Sequence, residues 1–352
     1  MPTVNPNSPR YRRIFAQQQT GSYPANFRTI NNAAGTWSST GAQFIRAEEG
    51  SVSMVPDMPI TPVSWLTGTR SAQPGIAGRK AAGWELRNLP LIPSGTGGTK
   101  PDTDIFWQNI FGSANTATAS NNAYSFSDTG YLPFTLLDFA HGLSSLTNRL
   151  IWGCFVTEFM ITLNGNVLVC DFRGRGGYLL DSTNFSNEDT IAKAGLSSYP
   201  TEPGAATYAG NIIPGFGATL TIDSQSGLEQ KVRSMQIRGT TGFQVIGDVL
   251  ADAYPIQAVG GLRQCAVSIG MLDDDSATLN DIKQKAKQEA SISFSLVVGS
   301  VTGSKMTIGG NNLQFPPNGF RDEGNVVMAD FPEGLFHASA VGNTDDISVT
   351  FS

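Results

Sequence analysis

Reactive side chains are sparse in this 352-residue chain, and their spacing limits what they could do. Cys154, Cys170 and Cys265 form no Cys-x-x-Cys pair, and they stand among apolar, strand-like neighbours such as Trp152, Phe155 and Val169. They read as reduced core thiols rather than as disulfide partners or metal ligands. His141 and His337 each lack a second His or Cys at ligand spacing, so neither suggests a zinc site nor an activated nucleophile. Gly95-Thr96-Gly97-Gly98-Thr99-Lys100 has the glycine content of a phosphate loop. It lacks the spacing of one, and Pro101 removes the backbone N–H expected after the lysine. Asp273-Asp274-Asp275 has no following glycine and no glutamate at the twelfth position of a calcium loop, and reads as solvated polar surface ahead of a helix. Neither a Gly-x-Ser-x-Gly elbow nor His-Glu-x-x-His occurs. The expectation is a chain with no catalytic residue, no metal and no cofactor, and so not an enzyme.

The composition points toward a β-rich protein. Charged residues are only 15 %, hydrophobics 40 %, and Gly (39) and Pro (19) supply turns at the expense of helix. No run of about 18 apolar residues exists, and the opening Met-Pro-Thr-Val-Asn-Pro lacks an apolar leader, so neither membrane spanning nor Sec export is expected. The formal charge of −6 is uneven: Arg10, Arg12, Arg13 and Arg28 give residues 1–44 a charge of +4, and the remainder carries −10. An acidic body without a basic stripe argues against sequence-specific nucleic-acid binding. It does suit a wall that DNA must slide past, since like charge keeps a polyanion centred.

The elements divide the chain into four stretches. Residues 1–44, rich in Pro, Asn, Gln, Ser and Thr, show no strand or helix period and read as an extended basic arm, whose Tyr11, Phe15, Tyr23, Phe27 and Trp37 need a covering surface. Residues 45–182 read as a first β-module. Its strands lie at Phe44–Glu48, Gly50–Val55, Ala81–Arg87, Tyr131–Asp138, Leu150–Leu163 and Val167–Phe172, with a short helix at Asp104–Gly112 capped by Asp102 or Thr103. Asn164-Gly165 predicts a tight hairpin. Residues 183–217 read as a linker, and residues 218–352 as a second β-module. The latter's strands are expected at Ala218–Asp223, Lys231–Arg238, Gln244–Leu250, Cys265–Met271, Ile292–Val298, Lys305–Ile308 and Ile347–Phe351, with an amphipathic helix at Ala277–Glu289. Val156, Phe159, Ile161, Val167 and Val169 match Val232, Met235, Ile237, Phe243 and Val245 at an offset of 76, hinting that the modules are related.

Gly78–Leu86, then Leu91-Ile92-Pro93-Ser94-Gly95-Thr96 through Pro101-Asp102, then the aromatic helix Asp104–Gly112, resembles the major tail tube proteins of long-tailed, siphovirus-type bacteriophages. The hairpin from Gly153-Cys154 to Cys170 and the strand Lys231–Ile237 resemble that family too. The resemblance implies a mainly β fold of two tube-type β-sandwich or partial-barrel modules, each with a flanking short helix. It implies a virion structural protein, assembled in the host cytoplasm, whose sheets join edge to edge into rings that stack as a conduit for DNA ejection. Its partners would be copies of itself, other tail proteins, and double-stranded DNA passing without sequence-specific contact. Two modules per chain imply rings of three chains forming a pseudo-hexamer; one lumen-lining module would require six. Arg10, Arg12, Arg13, Phe15 and Arg28 of the arm are the expected inter-ring contacts, with loops 56–80 and 173–213 as further candidates. Alternatives are a tail terminator, hub or decoration protein, or, in another class, a carbohydrate-binding or hydrolytic β-sandwich using Trp84, Trp107 and Trp152.

Overall fold

The period-two alternation in the sequence is realised as one broad antiparallel sheet. The computed structural model describes residues 12–19, 42–61, 75–92, 100–112, 115–118, 121–128, 131–140, 147–163, 167–182, 199–203, 211–246, 257–274, 276–341 and 343–352. Eight strands lie side by side in the order β3 (Val52–Asp57), β6 (Ala81–Pro90), β11 (Leu168–Gly176), β10 (Arg149–Leu163), β14 (Val232–Thr240), β17 (Gln264–Leu272), β21 (Val326–Phe336) and β20 (Gly319–Glu323). Every neighbouring pair is antiparallel. The hairpin β3–β6 continues into a two-stranded tip, β4 (Ile60–Thr61) with β5 (Ile76–Ala77). The hairpin β14–β17 continues likewise into β15 (Gln244–Ile246) and β16 (Gln257–Val259).

A second layer covers the inward face. β13 (Thr219–Ile222), β18 (Ser291–Val298), β19 (Met306–Gln314), β22 (Ser348–Phe351), β8 (Asn122–Ser125) and β7 (Asn115–Ala117) pair in that order. A third group, β2 (Gln43–Ile45), β1 (Arg12–Gln18) and β9 (Phe134–Ala140), joins the N-terminal part of β10, whose other edge takes β12 (Leu179–Asp181). Helices α1 (Asp104–Phe111) and α2 (Ala277–Lys287) pack into the same core. That core is continuous from Ile14 to Phe351 and holds Trp84, Phe106, Phe172, Leu279, Ile282 and Phe294. Trp84 stacks on Phe106 with ring centroids 5.9 Å apart.

Strand β10 links the layers. Its first residues pair with β9 and β12, and its last pair with β11 and β14. The change of partner falls at Gly153, whose φ of 61° is a left-handed conformation that a side chain would strain. A bulge follows between Val156 and Glu158. The buried Asn109 of α1 ties it to the segment ahead of β9. Its Oδ1 accepts from the Val156 N–H at 2.7 Å, and its Nδ2 donates to the Leu132 carbonyl at 2.8 Å. From the start of the second half, the Thr241 hydroxyl donates to the Val156 carbonyl at 2.6 Å.

The mainly β class is as the sequence implies, and α1 and α2 fall where expected. Ser276 caps α2, its Oγ accepting from the Leu279 N–H at 3.4 Å. At α1 neither expected residue caps the backbone: Thr103 Oγ1 accepts from Trp107 Nε1 at 2.9 Å, and Asp102 turns to Arg46. The predicted hairpin is β10–β11, with Asn164-Gly165 outside the described residues. Two readings need correction. The stretch 1–44 is not wholly an arm, because β1 is a strand of the chain's own sheet with Ile14, Phe15 and Ala16 buried. The partner of β14 is not the next strand, as the offset of 76 required, but β17 beyond the tip. The expected linker also contributes to the fold: Ile213 is buried and its N–H bonds to the Leu91 carbonyl at 3.0 Å.

Replacing Asn109 by Leu would strand the Val156 N–H and the Leu132 carbonyl. A loss of about 1–3 kcal/mol in denaturant unfolding is expected from the buried Val156 N–H left unpaired, with a smaller share from the half-buried Leu132 carbonyl.

Candidate functional site: the outward sheet face and its two edges

Among the described residues, the broadest features available to a partner are a sheet face and its two edges. Side chains of the eight-stranded sheet alternate between core and solvent, so Met54, Trp84, Leu86, Phe172, Ile161, Ile237 and Val267 point inward. Between them the outward positions carry charge in alternating sign. Glu85 on β6 takes Arg87 and, from β11, Arg173. Arg173 lies 3.9 Å from Glu158 on β10, and Glu158 pairs with Arg238 of β14 at 2.7 Å. The chain of opposite charges thus crosses four strands and the seam between the two halves. At the margins Arg175 pairs with Asp57 at 2.7 Å, and Arg321 with Asp330 at 3.3 Å. Hydrogen bonding from Arg87, and then from Arg173, holds the Glu85 carboxyl below its ordinary range, although partial burial opposes them. The exposed pairs contribute little stability each, but they neutralise the face pairwise.

The edges differ from the middle. β3 pairs only with β6, and β20 only with β21, among the described residues. Unpaired edges present a row of backbone donors and acceptors. On β20 every residue is exposed, and Phe320, opposite the buried Ala329, projects from the core side at 65 % exposure with Lys283 Nζ 5.4 Å from its ring. On β3 the exposed Val55 alternates with the buried Met54.

Arg12 and Arg13, expected as inter-ring contacts, have partners within the chain. Arg12 donates to Asp138 at 3.0 Å and to the Thr147 carbonyl at 2.9 Å, and Arg13 pairs with Glu202 at 3.2 Å. Phe15 is buried in a second cluster with Phe139, Leu137 and Trp152. These three therefore hold β1 within the chain's own fold, while Arg10 and Arg28 lie outside the described residues. Deleting residues 2–40 would remove a core strand, so such a truncation cannot isolate an arm's contribution.

The three cysteines are free and buried, and desolvation pushes their thiols up. Among the described residues no group of three His, Cys, Asp or Glu could hold a metal ion. His337 bonds Ser291 Oγ at 2.8 Å and the Ala338 carbonyl at 3.0 Å, and His141 lies outside the described residues. Asp273 pairs with Lys283 at 2.6 Å and Asp274 with Lys231 at 2.7 Å, which makes both ties around α2. Trp84, Trp107 and Trp152 are all at most 3 % exposed and cannot stack on a sugar. A cleft of about 380 Å³ beside Arg263 holds Asp128, Tyr131 and Asp346, with Arg263 bonded to Asp128 at 3.0 Å. No described helix is long and apolar enough to cross a membrane. No protein-family model matches the sequence, and no curated protein matches it.

The edge strand β20 and its neighbour β21 were not anticipated. Pro332 and the polar run Gly319–Glu323 hide them, and only the valines and aromatics Phe320, Val326, Val327 and Phe331 gave a signal.

One carboxylate beside β2 gives a pH test. Asp102 accepts from Arg46 Nε at 3.1 Å through Oδ2 while its buried Oδ1 has no partner, and burial raises its pKa from 3.8 to about 6 against the pull of Arg46. The folded form therefore binds more protons than the unfolded form between those values, and this group's contribution to stability falls as pH rises from about 4 to about 6. Asp102→Asn should flatten that part of the stability–pH curve, read by denaturant midpoints across the range.

Proposed function

We propose that this chain is a structural, self-assembling subunit whose copies join edge to edge into a ring, and that such rings stack into a tail-tube-type conduit for double-stranded DNA. One observation carries the reading: the eight-stranded sheet is the same four-strand unit used twice in tandem. The first unit runs hairpin β3–β6, helix α1, hairpin β10–β11, and the second runs hairpin β14–β17, helix α2, hairpin β20–β21. Space repeats the order as well as sequence, since β3-β6-β11-β10 is followed directly by β14-β17-β21-β20. The first hairpins superpose in register: Asp57 opposite Ala81 corresponds to Thr240 opposite Gln264, each partner 183 residues further on. Both then shift by one residue into a two-stranded tip.

A unit that can be followed by its own copy inside the chain has the geometry to be followed by another chain. The unpaired edges supply the bonds for that step, and a head-to-tail interface of this kind closes into a ring or winds into a filament. Two units per chain favour three chains per ring as a pseudo-hexamer. The outward face suits a DNA conduit because its arginines are matched by carboxylates, so phosphates meet neither a fixed cationic grip nor a strongly acidic wall. The reading places the protein in a virion, with other tail proteins at the tube's ends, and requires no catalysis.

Mass photometry and negative-stain microscopy of the purified chain test it. Rings of three chains and stacked hollow tubes are expected. A monomer that neither rings nor polymerises at high protein concentration, or on preformed tube ends, would overturn the reading.

A further inference from the structure

We infer that β20 of one copy pairs antiparallel with β3 of the next, with Phe320 opposite Met54, so that the junction between chains repeats the β10–β14 junction within each chain. This rests on the assembly reading above and adds to it a specific pair of strands and a register.

Polarity comes first. Seven antiparallel steps separate β3 from β20, so the two edges run in opposite directions, and a copy placed beside another without inversion brings them together antiparallel. An odd number of strands would have forced a parallel join.

The register follows from the tandem repeat. The shift of 183 residues that relates the first hairpins carries Met54 to Ile237 and Leu86 to Ile269. Leu86 lies opposite Phe172, and Ile269 lies opposite Phe331, so Phe172 corresponds to Phe331. Stepping back along the two second hairpins, Cys170 opposite Ile161 then corresponds to Ala329 opposite Phe320. The burial pattern agrees, for Cys170 and Ala329 are both buried, as are Phe172 and Phe331. In the junction within the chain Ile161 lies opposite Ile237, each 1 % exposed. Replacing both by their counterparts sets Phe320 opposite Met54 of the next copy, with Arg321 opposite Ser53 on the outward face.

The exposures fit this placement. Ile161 is covered because β14 lies beside it, whereas its counterpart Phe320 occupies the same core-side position on a strand whose outer side pairs with no described strand, and is 65 % exposed. Met54 at the opposite edge is buried on the core side, with 8 % exposure. Joining the edges would continue the core from one chain into the next.

Three variants test the junction and its register. Because Phe320 is exposed in the single chain, Phe320→Glu should leave the circular dichroism spectrum and the unfolding midpoint unchanged while the ring population in mass photometry falls at least tenfold. Rings from Phe320→Glu at the wild-type level would overturn the inference. Separately, Arg321→Cys with Ser53→Cys should form an intermolecular disulfide under mild oxidation, because directly opposed residues come within bridging distance and the three native thiols are buried. The offset pair Arg321→Cys with Val55→Cys should cross-link markedly less. Rings that cross-link preferentially through the offset pair, or through neither, would refute this register while leaving the assembly reading intact. Absence of rings from the wild-type chain would instead count against assembly itself.

Discussion

Strand β10 is the constraint on which the rest depends. It is fifteen residues long, and no single sheet uses all of it. Its first third holds β9 and β12, and through β9 the N-terminal strand β1; its last half holds β11 on one side and β14 on the other. A strand can change sheets only where its pleat is broken, and here Gly153 and the bulge at Val156–Glu158 do this within a few residues. The bulge frees backbone groups in a buried place, and each must find a partner. Asn109 and Thr241 supply them, one from the helix of the first unit and one from the first strand pair of the second. The same few atoms that let β10 turn therefore fasten the two units together.

That fastening explains why the sheet is wide and open. Once β14 pairs with the far edge of β10, the second unit has no freedom to fold back and cover β3, and its last strand β20 is left at the opposite margin. The second layer secures the inward face instead. β22, the last strand of the chain, reaches across to β8 in the first half, so the C-terminus ties both units from behind. The outward face receives no such cover and is built from charges satisfied in pairs across neighbouring strands. Cross-strand pairs of opposite charge fix register while keeping apolar area off the surface.

The sequence made the interior legible and left the margins obscure. Strands with one buried face, such as Leu168–Gly176 and Val232–Thr240, alternate and can be read directly. So can α2, whose Leu279, Ile282 and Ala286 are its buried residues. β1 was missed because Arg12, Arg13, Gln17 and Gln18 surround a short apolar centre, and their side chains find partners only in residues far along the chain: Asp138 and Glu202 for the arginines and Gln108 for Gln18. β20 and β21 were missed for the opposite reason. The edge strand β20 has no neighbour to select β-forming residues on its free side, so Asp322 and Glu323 are tolerated there, and Pro332 falls in β21 where the ladder to β17 is irregular, between Phe331 and Gly334. The pairing β10–β14 lay beyond local pattern altogether, since any two period-two strands align equally well on paper. The offset of 76 did set Ile161 against Ile237, which face each other, but it took the following strands as equivalent when β14 in fact closes on β17.

Exposed edges and exposed phenylalanine are costly for a protein that stays alone, since they template unspecific pairing. Monomeric β-proteins blunt such edges with inward charges, prolines or a covering loop. This chain puts Pro56 on β3 and an Arg-Asp-Glu run on β20, devices that weaken random pairing, yet it keeps Phe320 and Val55 uncovered between them. The internal seam has the same construction, with an apolar pair, Ile161 and Ile237, at its centre and the Glu158–Arg238 pair beside it on the outward face. The chain therefore already contains, fully paired, the kind of joint that its two free margins lack.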